Sequence, residues 1–254
     1  METLTPTQDV TPAAAAPPAT PKRKSRFARF ARFALYGLLA LAVILALSHV
    51  LWNRSGSNAW ELAMDKEGVK VWTMKTPGTD LVRIKAATRI KSSLAGMVKL
   101  LEDLESCVDA KCYDASVIQP IATMPNQYAA FVQFKFDIPG LKTREYVLLQ
   151  EHIQDPVSKK LDINIIAAPN RIPRDACCVR ITHLHNHWTL TPLKNGELDI
   201  EFMQDTDIGG LPYFLANPAL TYGTHEILLG MQGLMNMAKY RDARLANIQE
   251  LSAD

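Results

Sequence analysis

In Glu197-Leu198-Asp199-Ile200-Glu201-Phe202, acidic and apolar residues alternate over six positions. That period of two is the signature of a strand with one wet face and one buried face. Lys194-Asn195-Gly196 reads as a turn, so Trp188 to Leu193 and Glu197 to Asp205 are expected to pair as a hairpin. Gly209 and Gly210 then permit backbone angles closed to other residues, and Pro212 suits the first turn of a helix, where its missing N–H costs nothing. A helix entered through so tight a turn must fold back over the sheet.

The rest of the chain from Val69 onward repeats these signals. Val69 to Thr76 and Leu81 to Ile90 read as the first two strands, joined by a turn at Pro77-Gly78. Ser92 or Ser93 can cap a helix whose Leu94, Met97, Val98, Leu101 and Leu104 recur at helical spacing. Further strands are expected at Val117 to Met124, Gln127 to Asp137, Tyr146 to Gln154, Leu161 to Ala168 and Cys178 to Leu190. A last helix from Tyr222 to about Asn247 carries Ile227, Leu228, Met231, Leu234, Met235 and Ala238 on one side, a stripe that ordinarily packs on a core.

Trp188-x-Leu190-x-Pro192, the strand after it, Gly209-Gly210-Leu211-Pro212 with Leu215 and Asn217, and the long last helix together resemble the C-terminal part of START (StAR-related lipid-transfer) domains, in the helix-grip, Bet v 1-like superfamily. Upstream, Trp60-Glu61-Leu62 with Asp65, Gly68, Val69 and Val71 is similar to the family's beginning, and Arg144-Glu145-Tyr146 stands where it tends to carry Arg-Asp-aromatic. The resemblance spans about Trp60 to Tyr240. It implies an α+β helix-grip fold: a curved antiparallel sheet wrapped around a long C-terminal helix that also walls or closes a ligand tunnel.

Composition fits one globular domain with attachments. A chain of 254 residues with 48% hydrophobic content can build a sizeable core, and a formal charge of +2 gives no reason to expect nucleic acid. The near-neutral total hides an asymmetry, since Lys22, Arg23, Lys24, Arg26, Arg29 and Arg32 crowd residues 22–32. Directly after them, Phe33 to Leu51 holds nineteen residues without Asp, Glu, Lys or Arg. As a helix it spans about 28 Å, close to the hydrocarbon thickness of a bilayer. Ser57-Asn58-Ala59 is a passable cleavage site for a signal peptide, but apolar regions of signal peptides run to roughly 7 to 15 residues, which favours an uncleaved transmembrane helix over 33–51.

The positive-inside rule then puts the N-terminus in the cytoplasm and the folded domain outside, in the periplasm of a bacterial inner-membrane protein. Residues 1–21, rich in Pro, Thr and Ala, read as a disordered tail, and the basic run is placed to meet anionic headgroups. A linker over 52–58 reaches roughly 25 Å when extended and leads to the START-like domain at 59–250.

Four cysteines suit that compartment. Cys107 and Cys112 lie five apart and can close a small disulfide, whereas the adjacent Cys177 and Cys178 are expected as thiols because their spacing strains a mutual bond. The lack of a Cys-x2-Cys pair argues against zinc on the cysteines. His183, His185 and His187 alternate on one strand, roughly 6.6 Å apart, and do not converge on one ion, so no metal or other cofactor is expected.

Strand parity sorts the ligand candidates. The resemblance puts Trp188 and Leu190 on the inner face, hence Arg180, Thr182 and Asn186 with them and the three histidines outside. Tyr128, Ala130, Val132, Phe134 and Phe136 form a nearly apolar inner face on their strand. An apolar cavity with a few placed polar groups orients a lipid-like ligand. The expected ligand-binding set is Phe134, Tyr146, Gln150, Arg180, Thr182, Asn186, Trp188, Leu211, Phe214, Met231 and Met235, each polar member having hydrogen bonding within the fold as its ordinary alternative.

Several sterol-binding members of the family that this chain resembles carry an arginine where Gln150 stands, so the resemblance implies a sterol less strongly; a fatty-acyl lipid is the other candidate. No Gly-x-Ser-x-Gly, phosphate loop, His-Glu-x-x-His or dinucleotide fingerprint occurs, so no catalytic residue is assigned. The expected function is to bind a hydrophobic ligand and shuttle or present it at the membrane. The alternatives are a polyketide cyclase, with His152 the first residue to test, and a tethered sensor that contacts another envelope protein.

Overall fold

The computed structural model describes residues 26–121 and 127–251, so the expected tail over 1–21, most of the basic segment and the end of the strand expected at Val117 to Met124 lie outside the described residues. The chain divides into two units, residues 1–49 and 50–254. In the first, a helix begins at Arg26; this helix, α1, runs Arg26–Arg54. Its large apolar side chains, Leu38 and Ile44 among them, are exposed. Among the described residues it is the one helix long and apolar enough to cross a membrane. It continues through Arg54, so the first residues of the expected linker are helical.

The second unit is an α+β domain, and its strands are ten among the described residues. They are β1 (Glu61–Lys66), β2 (Val69–Met74), β3 (Arg83–Lys91), β4 (Cys112–Ile121), β5 (Gln127–Phe136), β6 (Arg144–Gln154), β7 (Leu161–Ala167), β8 (Val179–Arg180), β9 (His183–Pro192) and β10 (Glu197–Asp207). The sheet runs β1-β2-β3-β10-β9-β7-β6-β5-β4, with β8 beside β6. Every pairing is antiparallel except β6 with β8. The expected β9–β10 hairpin forms, and Gly196 takes the left-handed backbone its turn needs, with φ 77°.

Alternation carries the core across the sheet. Leu198, Ile200 and Phe202 of β10 are buried and stand opposite Ile90, Thr88 and Ala86 of β3 on one side and Pro192, Leu190 and Trp188 of β9 on the other. Leu190 and Trp188 in turn face Leu161 and Ile163 of β7. Each such aliphatic side chain, once fully buried, stabilises the fold by about 1.5–3 kcal/mol before entropy is charged against it.

Two helices cover this face. In α2 (Leu94–Glu102), Ser93 caps the N-terminus by accepting from the Gly96 amide at 3.1 Å, and Leu94, Met97 and Val98 are buried. Glu250, from the far end of the chain, accepts from the Leu94 and Ala95 amides at 3.0 and 2.9 Å, placing negative charge at the positive end of the helix dipole. Glu250→Ala is expected to cost about 1 kcal/mol in a urea titration. A variant as stable as the wild type would show that water replaces this cap at no cost.

The last helix differs from its sequence reading. α3 spans Tyr213–Leu234 and starts directly after Pro212; Met237 takes extended backbone, and a short α4 (Ala238–Arg241) follows. α3 packs on β2 and β3. The expected stripe is only partly buried: Leu228, Met231 and Met235 are inside, whereas Ile227 is 54% exposed and Ala238 is exposed. The buried face is instead Ala216, Asn217, Thr224, His225, Leu228 and Met231.

Three further differences have local causes. β1 precedes the two strands read as first; as an edge strand its side chains are mostly exposed, so it lacks apolar alternation. The single strand expected from Cys178 to Leu190 is broken into β8 and β9 by the demands of Arg180, described below. Cys107 bonds Cys112, as their spacing allows, and Cys177 bonds Cys178, where thiols were expected. There the Asp175 carboxylate accepts from the Cys177 amide at 3.2 Å and the Asp175 carbonyl from the Cys178 amide at 3.3 Å, a turn that sets both side chains to one side.

Candidate functional site

The residues expected at a ligand site fall into two apolar groups. Phe134 and Tyr146 face each other across β5 and β6 and stack with centroids 4.7 Å apart. They pack on a buried cluster of Ala130, Val132, Leu148, Ile181 and Leu184. Burial pushes the Tyr146 phenol up to about 12, so it stays neutral and able to donate at any physiological pH.

Trp188, Met231 and Met235 belong to the larger core beneath α3, where Trp188 stacks on Phe202 at 4.0 Å. Ile165 of β7 packs against both groups and joins them. Asn186 is half-buried and accepts from Thr206 Oγ1 at 3.1 Å. Gln150 is buried and donates to the Leu101 carbonyl of α2 at 3.4 Å.

Arg180 is turned to another purpose. Its guanidinium is buried and donates to Glu145 at 2.9 Å and to the carbonyls of Pro169, Ile172 and Pro173 at 2.7, 3.2 and 2.8 Å. This pair holds β8 parallel to β6 and takes Arg180 out of line with Trp188. Thr182, in the gap between β8 and β9, is exposed, so the shared parity of Arg180, Thr182 and Asn186 does not exist. Leu211 is half-buried, and Phe214 is 62% exposed at the start of α3. His183 and His185 are exposed and His187 is half-buried.

The loop before α3 is pinned from within. Arg144 donates to the carbonyls of Lys142, Ile208 and Gly209 at 2.5, 2.9 and 2.7 Å. Gly209 has φ 72°, and a Cβ there would lie 2.9 Å from Val179 Cγ1, so this position admits only glycine.

Sequence reasoning picked out His152 but not its partners. Its ring is fully buried; Asn247 donates to Nε2 at 3.3 Å, leaving the proton on Nδ1 to donate to Glu102 at 2.5 Å, and Tyr128 stacks on it at 5.5 Å. Both ring nitrogens are thus engaged by the fold.

Clefts open on the surface among the described residues, two of them near the expected site residues. One, of about 350 Å³, is polar and includes Phe134, Lys135, Glu145 and Asp175. Lys135 lies 3.0 Å from both Asp114 and Asp175, and its hydrogen bonds to them hold the ammonium well above its ordinary value. The other, of about 440 Å³, is bounded by Trp52, Met64, Val82, Tyr213, Phe214 and Tyr222. Only Phe214 of the expected set borders it, because its wall comes from a helix end, a sheet edge and α3, which no single-segment pattern brings together.

A large antiparallel sheet, a C-terminal helix laid on it and an apolar interior between them define the fold of STAR-related lipid transfer domains. The structure superposes on a STAR-related lipid transfer protein fragment from Xanthomonas axonopodis with a TM-score of 0.62 at 20% identity, covering 70% of this chain and 99% of that one. Human STARD10 gives 0.60 at 15% identity over 79% of this chain and 91% of its own, and human StAR-related lipid transfer protein 5 gives 0.58 at 14% over 77% and 94%. In sequence the chain is 25% identical over 175 residues, 68% of its length, to the uncharacterized Pseudomonas aeruginosa protein PA1579, of which 85% is covered. No family model matches the sequence.

Proposed function

We propose that the domain binds a hydrophobic ligand, a lipid of fatty-acyl or sterol class, between the sheet and α3, and shuttles or presents it at a membrane surface. The observation that carries this reading is the joining of the Phe134–Tyr146 and Trp188–Met231–Met235 groups through Ile165 within this fold. Gln150 and Asn186 supply neutral amides beside them, suited to a hydroxyl or ester. The likeness to lipid transfer proteins supports the same ligand class. α1 serves as a single-pass anchor, with the N-terminus cytoplasmic and the domain on the periplasmic side, consistent with two disulfides that need an oxidising space. Moving an apolar chain from bilayer to protein interior is nearly neutral, since about 0.8 kcal/mol per CH2 is gained against water in either place.

Native mass spectrometry of the full chain released from lipid nanodiscs tests the reading by comparing wild type with Ala130→Trp, which fills the interior beside Phe134. The wild type is expected to retain one more lipid than the variant, which overpacking should destabilise by about 1–3 kcal/mol without unfolding it. Equal lipid counts, with both proteins folded by circular dichroism, would rule out an interior lipid.

A further inference from the structure

The cleft beside α3 has a feature that the interior site does not explain. Trp52 directly follows Leu51, the last residue of the apolar run, and forms part of the cleft wall. It is fixed there: Nε1 donates to the Asp80 carbonyl at 2.8 Å, and its ring lies parallel to Tyr213 with centroids 5.2 Å apart. Asn53 donates to the Asp80 carboxylate at 3.0 Å and its carbonyl accepts from Gly78 at 2.7 Å. From α3, Asn217 donates to the same Asp80 carbonyl at 3.2 Å and accepts from the Val82 amide at 3.1 Å. Trp52 and Asn53, the β2–β3 turn and the first turns of α3 are thus joined by hydrogen bonds within the second unit.

Around it the surface is unusually apolar. Phe214 and Tyr222 are 62% and 61% exposed on the rim, Leu215 beside them is also exposed, and Leu62 is exposed on β1. A volume of about 440 Å³ falls within the roughly 300–1,000 Å³ of ligand pockets. Large apolar side chains left in water usually mark a binding surface, and tyrosine and tryptophan favour the boundary between headgroups and acyl chains. A helix crossing a bilayer with its apolar run must place Trp52 at that boundary, because the run ends one residue earlier.

We infer that this cleft is a docking site for an acyl chain of the bilayer that holds the protein's own anchor, with Phe214 and Tyr222 dipping into the same leaflet. The inference rests on the anchor proposed above and adds the place where the domain meets lipid. Trp52 fixes the cleft at the membrane surface, so the domain does not depend on diffusion to find it.

The test uses the full chain reconstituted in phosphatidylethanolamine–phosphatidylglycerol vesicles that contain a phospholipid with a photoreactive diazirine on its acyl chain. After irradiation, peptide mapping is expected to find lipid adducts on residues 213–222 as well as on the anchor. It is expected to find none at Val157, an apolar residue that is 85% exposed elsewhere. The double variant Phe214→Asp/Tyr222→Asp, altering two exposed side chains, should lose the adducts on 213–222 and keep those on the anchor. Adducts confined to the anchor, or cross-links from 213–222 to a second copy of the chain in place of lipid, would overturn the inference. Adducts on 213–222 from a protein that retains no interior lipid would sink the carrier proposal and leave this docking site standing. Retained lipid with 213–222 unlabelled would do the reverse.

Discussion

Arg180→Ala is expected to lower the free energy of unfolding by about 3–5 kcal/mol in a urea titration, because it leaves a buried carboxylate without its counter-ion. Glu145 would keep its place under β8 with no guanidinium beside it, and the carbonyls of Pro169, Ile172 and Pro173 would lose their donor together. The double variant Glu145→Leu/Arg180→Met separates the charge effect from the loss of packing. Removing both ions should recover part of the loss, since much of it is the penalty for one unpaired buried charge. A double variant no better than Arg180→Ala would assign the cost to the three carbonyls instead.

Trp188→Ala is expected to cost a similar amount, about 3–5 kcal/mol, for a different reason. The ring is buried against Phe202 and opposite Ile163, at the junction of β7, β9 and β10, and neighbouring strands cannot close the space it leaves. Thermal unfolding followed by calorimetry measures the loss. Trp188→Phe should recover most of it, and a loss below about 1 kcal/mol for Trp188→Ala would mean that this part of the interior is already loosely filled.

Those two residues also mark where sequence reasoning succeeded and where it stopped. Trp188 sits where its parity with Leu190 put it, because both belong to an unbroken strand and side chains there alternate by geometry alone. The hairpin, the α2 cap at Ser93 and the apolar run of α1 were legible for the same reason: each is written in a few consecutive residues. Arg180 was misplaced because its partner lies 35 residues away on another strand, and the pull of that partner ends one strand and starts the next. Separation along the chain likewise hid Glu250 from α2 and Glu102 from His152, contacts that join segments 156 and 50 residues apart. α3 began earlier than its apolar stripe suggested because Pro212 starts it directly and its first buried residues include Asn217, a polar side chain held by the β2–β3 loop.

Of the proposed site, the burial of most apolar members was legible, though Phe214 is exposed, and the placement of the polar ones largely was not. Trp188, Met231 and Met235 are buried and Phe134 and Tyr146 partly so, because burial follows from alternation and spacing. Polar side chains go where their hydrogen bonds are, and Thr182 shows the result, exposed in a gap that no periodicity announces. The cleft at Trp52 needed three remote segments and could only be found in the folded chain.

The grip of Arg144 on the loop before α3 sets a boundary for any mechanical cycle of this domain. Ile208 and Gly209 are fastened to β6 through their carbonyls, and Gly209 is wedged against Val179, so neither can turn without unseating a buried guanidinium. Gly210 has no atom within 4 Å of where a Cβ would stand, and Pro212 already begins the helix. A swing of α3 is therefore left with a fulcrum two residues long, and its arc is decided by the torsions of Gly210 and Leu211.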